Sequence, residues 1–186
     1  PTPWTTSTLA STTYPQNPRA ILIEADMTDS TTSRDAHVPT FRLFADGLVI
    51  LAGNRPANPT GLDATVRTGK FSDSEIQNLL AYLTQVGFFN LKDYYEPRPK
   101  PADASTAFVS VYLNKAKTVR VYDPKNETTP PSFTDAFTRI AQTIPSDART
   151  FLPIGGYLES TDAGSASGLA TKSTIVDWSN VNVRLA

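Results

Sequence analysis

The sequence predicts an α+β fold: a two-layer sandwich in which an antiparallel sheet carries two helices packed on one face, in the order hairpin, helix, hairpin, helix. Three observations predict it. Residues 71–88, FSDSEIQNLLAYLTQVGF, spell an amphipathic helix with both ends marked. Two stretches, 38–52 and 106–122, are apolar or alternating and each breaks at a turn signal. A second amphipathic stretch, 133–144, follows the second of them. Each helix has one apolar side, and short turns join antiparallel strands, so both helices are expected on the same face of the sheet.

Taken in order, residues 1–18 hold eight Ser/Thr, four Pro and no Asp, Glu, Lys, Arg or His, a composition that cannot bury enough to offset its ordering entropy. They read as a disordered or extended tether, and 19–186 as a single domain with its core in 38–145. A chain that starts at Pro1 implies an upstream segment, and with the tether composition this predicts an exported protein that has lost a signal peptide or lipid anchor. Residues 19–27 read as a strand and 28–37 as a polar loop. Residues 38–44 and 48–52 form the first hairpin, because Asp46-Gly47 supplies the positive φ that tight turns require. Residues 64–68 read as one more strand.

In the first helix Ser72 and Glu75 have capping-box spacing, and Phe71 with Ile76 makes a hydrophobic staple. Ile76, Leu79, Leu80 and Leu83 give the apolar stripe, and Gly87 the left-handed exit. Residues 106–113 and 118–122 form the second hairpin. In the second helix Ser132 is the expected cap and Pro145 the stop. The tail, 146–186, is expected to add edge strands, chiefly from the alternation at Val181, Val183 and Leu185.

Composition excludes several functions. Seventeen basic against eighteen acidic side chains leave a net charge of −1, too little to attract nucleic acid. No apolar run approaches the ~20 residues of a membrane span, so a membrane is reached only through a lost lipid anchor. Cysteine is absent, and with it thiolate nucleophiles and cysteine metal sites. His37 is the sole histidine, and no GxSxG elbow accompanies it, which disfavours a Ser/His/Asp triad. Asp26, Asp29 and Asp35 are the candidate metal ligands, in a run that lacks the central Gly and terminal Glu of a calcium loop. Gly155-Gly156 has no P-loop Lys behind it. No cofactor is implied.

The most distinctive surface is 94–103, YYEPRPKPAD. Prolines at 97, 99 and 101 keep it extended, and Tyr94, Tyr95, Glu96, Arg98, Lys100 and Asp103 are the residue types that binding hot spots favour. The bland alternative is a stiff crossover between helix and hairpin. Asp93 with Glu96 or Asp103 would be the carboxylate pair of a hydrolase, if their separation allowed it.

The runs FRLFADGLVIL, FSDSEIQNLLAYLTQVGFFNLKDYY, ADASTAFVSVYLNKAKTVRVYD and PPSFTDAFTRI resemble small α+β domains of unknown function in bacterial exported proteins and lipoproteins. Asp46, Gly47, Gly87, Phe88, Phe89, Tyr94, Asp103 and Pro130 stand at the pattern's places, over residues 40–145. The resemblance implies an envelope location and no established activity. The expectation is therefore a non-catalytic, extracytoplasmic binding or structural module, with a protein or small ligand of the envelope as partner. The alternatives are a carboxylate- or metal-dependent hydrolase and a protein-interaction or inhibitor domain.

Overall fold

The computed structural model describes residues 12–28, 38–52 and 66–151. In chain order these hold β1 (Ile21–Thr28), β2 (Phe41–Phe44), β3 (Leu48–Ala52), β4 (Val66–Lys70), α1 (Asp73–Gln85), a 3-10 turn (Phe88–Asn90), β5 (Tyr94–Tyr95), β6 (Thr106–Tyr112), β7 (Ala116–Tyr122), α2 (Pro131–Gln142) and β8 (Arg149–Thr150). The fold is α+β, as expected. Among the described residues, eight strands form one sheet in the order β5-β7-β6-β1-β2-β3-β4-β8.

That sheet is mixed, which corrects the antiparallel expectation. Every other neighbouring pair is antiparallel, but β5 runs parallel to β7, with Tyr94 opposite Arg120 and Tyr95 opposite Val121. The reason is connectivity. The chain leaves α1 at the sheet edge, crosses through residues 96–105 into the interior strand β6, and returns along β7 beside its own earlier segment. A strand lying next to the second arm of a hairpin that it precedes is not held to the antiparallel rule of short turns.

Pairing register builds the core. Ile23 and Ala25 of β1 stand opposite Leu43 and Phe41 of β2 and opposite Val111 and Val109 of β6. The same face continues through Val49 and Leu51 of β3 and through Val119 and Val121 of β7. All ten are buried, and they join the α1 stripe, Phe88, Phe133, Ala136 and Ile140 in one hydrophobic cluster. α2 lies against β1 and β6, and α1 touches α2. The opposite face is polar at its centre: Arg42 Nε bonds Glu24 Oε2 at 3.1 Å, and the Ser110 and Thr118 hydroxyls bond each other at 2.9 Å.

α1 matches its sequence signals at both ends. Ser72 Oγ accepts from Glu75 N–H at 3.3 Å while Ser72 N–H donates to Glu75 Oε2 at 2.8 Å, closing the capping box. Gly87 sits at φ +76° and its N–H donates to Thr84 O at 3.0 Å, the inner bond of a Schellman ending. α2 departs from its expected bounds. It begins at Pro131, with Pro130 as the cap residue and no side-chain capping bond, so Ser132 lies inside the helix. Proline has no N–H to leave unmade and a φ already set for the first turn. The helix ends at Gln142 because Pro145 disfavours helical backbone just before it, and Ile144 is left half exposed.

Residues 12–18 carry no helix or strand, yet they are fastened to α1. Thr12 N–H donates to Gln77 Oε1 at 2.8 Å, Gln77 Nε2 donates back to Thr12 O at 2.9 Å, and Tyr14 Oη donates to Asp73 Oδ1 at 3.1 Å. At the other end of the chain, β8 pairs with β4 as an edge strand. The strand expected from 174–185 falls outside the described residues.

Candidate functional site

The register of one short pairing decides which tyrosine can meet a partner. Val121 belongs to the core, so Tyr95 opposite it turns inward and packs against the core cluster. Tyr94, opposite Arg120, turns to the outer face and is 47% exposed. The approach to β5 is pinned by Lys117, whose Nζ donates to Leu91 O and pairs with Asp93 Oδ1 at 2.7 Å. Arg120 N–H donates to Asp93 O at 2.9 Å, and Lys92 N–H to Tyr95 Oη at 2.9 Å.

Beyond β5 the proline-rich run is held by side chains at intervals. Tyr94 Oη donates to Glu96 Oε2 at 2.9 Å, and the same oxygen pairs with Lys100 Nζ at 3.3 Å. Lys100 Nζ stands 4.4 Å from the centroid of the Tyr122 ring. Tyr122 Oη in turn donates to Pro101 O at 2.8 Å and accepts from Ala104 N–H at 3.2 Å. Pro97 is buried, the Arg98–Pro99 peptide is cis, and Asp103 takes φ +55°, a conformation that aspartate tolerates better than most residues. The result is a continuous chain of contacts, Tyr94–Glu96–Lys100–Tyr122, across the outer face of the β5–β7 edge.

Electrostatics follow from that chain. The Tyr94 hydroxyl, and then Lys100, hold the Glu96 carboxyl below its ordinary range. Sharing its proton with that carboxylate raises the Tyr94 phenol, and the same carboxylate raises the Lys100 ammonium. All three are therefore fixed in one protonation state around neutrality. Arg98 is exposed and makes no hydrogen bond or salt bridge among the described residues, and its charge acts on the Glu96 carboxyl only through space.

Of the sequence candidates, Tyr94, Glu96 and Lys100 are brought into contact, Tyr95 supports them from the core side, and Arg98 and Asp103 stand on the same loop. Asp93, proposed as half of a carboxylate pair, is engaged with Lys117 instead. Asp26 is 4% exposed and its Oδ1 accepts from the backbone and the hydroxyl of Thr40, at 3.1 and 3.2 Å, which ties β1 to the entry of β2. Asp29, Asp35 and His37 lie outside the described residues. Among the described residues no three metal-ligating side chains converge. Tyr122 and Lys117 were missed by sequence reasoning. The alternation of 116–122 could have found Tyr122, since Val119 and Val121 face the core and Thr118, Arg120 and Tyr122 must then face away.

The model of the DUF6438 family, a domain of unknown function, matches residues 37–144, and the chain belongs to that family. No curated protein and no solved structure matches it.

Proposed function

With membership of a family of unknown function as the premise, we propose that this domain is a non-catalytic binding module of a bacterial cell envelope, exported and held there by its Thr/Pro-rich N-terminal segment. Its partner is a protein or small ligand of that compartment, met through the 94–103 loop. One observation carries the reading: an exposed aromatic, and an exposed guanidinium with no salt bridge among the described residues, stand on a loop already locked by Tyr94–Glu96–Lys100–Tyr122 contacts. Such pre-ordering reduces the entropy lost on association, and Tyr and Arg are the side chains through which contact energy is usually concentrated. Glu96 does not suit the general acid of a hydrolase, which needs a carboxyl pKa raised toward neutrality, because Tyr94 and Lys100 move it the other way.

The architecture supports a display role. We read it as two layers, with both helices over the face that carries Ile23, Phe41, Val109 and Val121, so that the β5–β7 edge and its loop stay open. The test is site-specific photocrosslinking in cells producing the full-length protein. A crosslinker at position 98 is expected to capture one envelope partner, with none captured from exposed position 78 on α1, and Tyr94→Ala should abolish the capture. Equal labelling from both positions, or a protein that fractionates with the cytoplasm, would reject the reading.

A further inference from the structure

A second site lies away from the loop, where α2 crosses the ends of β1 and β6. Met27, Ala107, Phe133 and Phe137, with Lys125 and Thr134, line a cleft of about 180 Å3 that is open on one side. We propose that it binds a compact apolar carboxylate, one ring or short branched chain bearing a single anionic end. The argument does not depend on the role given to the 94–103 loop.

The cleft arises from a small residue between large ones. Met27 and Ala107 are cross-strand partners on the core side of the sheet. Where Val109 and Val111 reach up to meet the core, Ala107 presents only a methyl group, and α2 bridges the shortfall with Phe133 and Phe137, stacked at 6.0 Å and 29°. Phe133 and Ala107 are buried and form the floor. Met27 is 44% exposed, a large flexible apolar side chain left at the opening. Thioethers and aromatic rings adapt to varied apolar shapes. An apolar cavity of about 150 Å3 suffices to hold a benzene ring, so the size suits one ring and excludes a drug-sized molecule.

The polar residues of the lining are Lys125, exposed in the turn after β7, and Thr134 and Thr138, exposed and one turn apart on α2. Lys125 has no ion-pair partner among the described residues, while Asp123, Glu127 and Asp135, its acidic neighbours in these segments, line no part of the cleft. An apolar lining with an unpaired lysine at its edge suits an apolar body that carries a carboxylate, and it disfavours a cation or a neutral polyol.

The measurement is a two-dimensional NMR titration of the full chain with phenylacetate and, in parallel, phenylacetamide. Phenylacetate is expected to shift the resonances of Met27, Ala107, Lys125, Phe133 and Phe137, with a dissociation constant of about 1 mM for so few atoms. It should bind roughly two- to fivefold tighter than the amide, the scale of an exposed ion pair, and Lys125→Ala should remove that preference. Thr134→Trp, an exposed helix position, fills the cleft and should abolish both titrations while the melting temperature is retained. Shifts spread over other surfaces, an amide that binds as well as the acid, or undiminished binding to a folded Thr134→Trp protein would each overturn the proposal.

Discussion

Gly47 and Gly87 both lie at positive φ, yet their surroundings differ enough to separate two costs. A Cβ built on Gly47 would stand 2.3 Å from the carbonyl oxygen of Phe71, a backbone atom that also neighbours the Phe71 N–H to Gly47 O bond of 2.9 Å. On Gly87 the nearest heavy atom is Ser132 Oγ, at 3.9 Å. Gly87→Ala should therefore cost only the left-handed strain of an L-residue, about 1 kcal/mol. Gly47→Ala adds a backbone collision and should cost roughly 3 kcal/mol or more. Urea denaturation of the two variants checks the difference, and equal losses would mean that the turn relaxes around the methyl. The sequence displays both glycines beside turn signals, but nothing in it reveals that one abuts a carbonyl 24 positions away.

At the level of elements, legibility tracks how local the determinants are. The capping box, stripe and exit of α1 all lie within 71–88, and each stands where the spacing places it. The β2–β3 hairpin is equally local, with Leu48 N–H donating to Asp46 Oδ1 at 3.0 Å in its turn. β5 is two residues long and exists because Arg120 and Val121 arrive beside it, so no window around Tyr94 could announce it. The α2 start misled because serine is a good cap in isolation while two prolines just before it settle the matter. A paired substitution exposes that contrast. Ser72→Ala should cost about 1 kcal/mol, whereas Ser132→Ala, which removes no capping bond, should stay within roughly 0.5 kcal/mol. Thermal melts of the two variants measure it, and a larger loss for Ser132→Ala would contradict the α2 boundary.

For the molecule as a whole, the shifted groups define a pH window. Glu75, through the Ser72 backbone and hydroxyl, and Glu96, through Tyr94 and Lys100, titrate below the ordinary carboxylate value. Their contribution is present above the unfolded pKa, near 4.3, and disappears as pH falls through the lower folded values. Tyr14, raised by partial burial and then by Asp73, and Tyr94 and Lys100 titrate above their usual values near 10. Their contribution is present below those values and disappears as pH rises past the folded ones. Folding stability should thus be nearly level from about pH 5 to 9 and decline on both sides, modestly, because these groups are largely solvated. Denaturant midpoints across that range test it; a slope near neutrality would point to a titrating group elsewhere. The candidate loop was legible in residue type, since prolines and aromatics are visible in any sequence. Its lock was not, because Tyr122 and Lys117 come from β7, which reaches it only after the sheet has assembled.

The twin bonds between Thr12 and Gln77, with Tyr14 on Asp73 beside them, also govern how mechanical load enters the domain. Tension drawn through the residues ahead of Thr12 arrives first at the exposed flank of α1, where a few hydrogen bonds can peel away in turn. The strand ladders behind that helix would feel the pull only after this clasp has opened, so it acts as a sacrificial link ahead of the sheet.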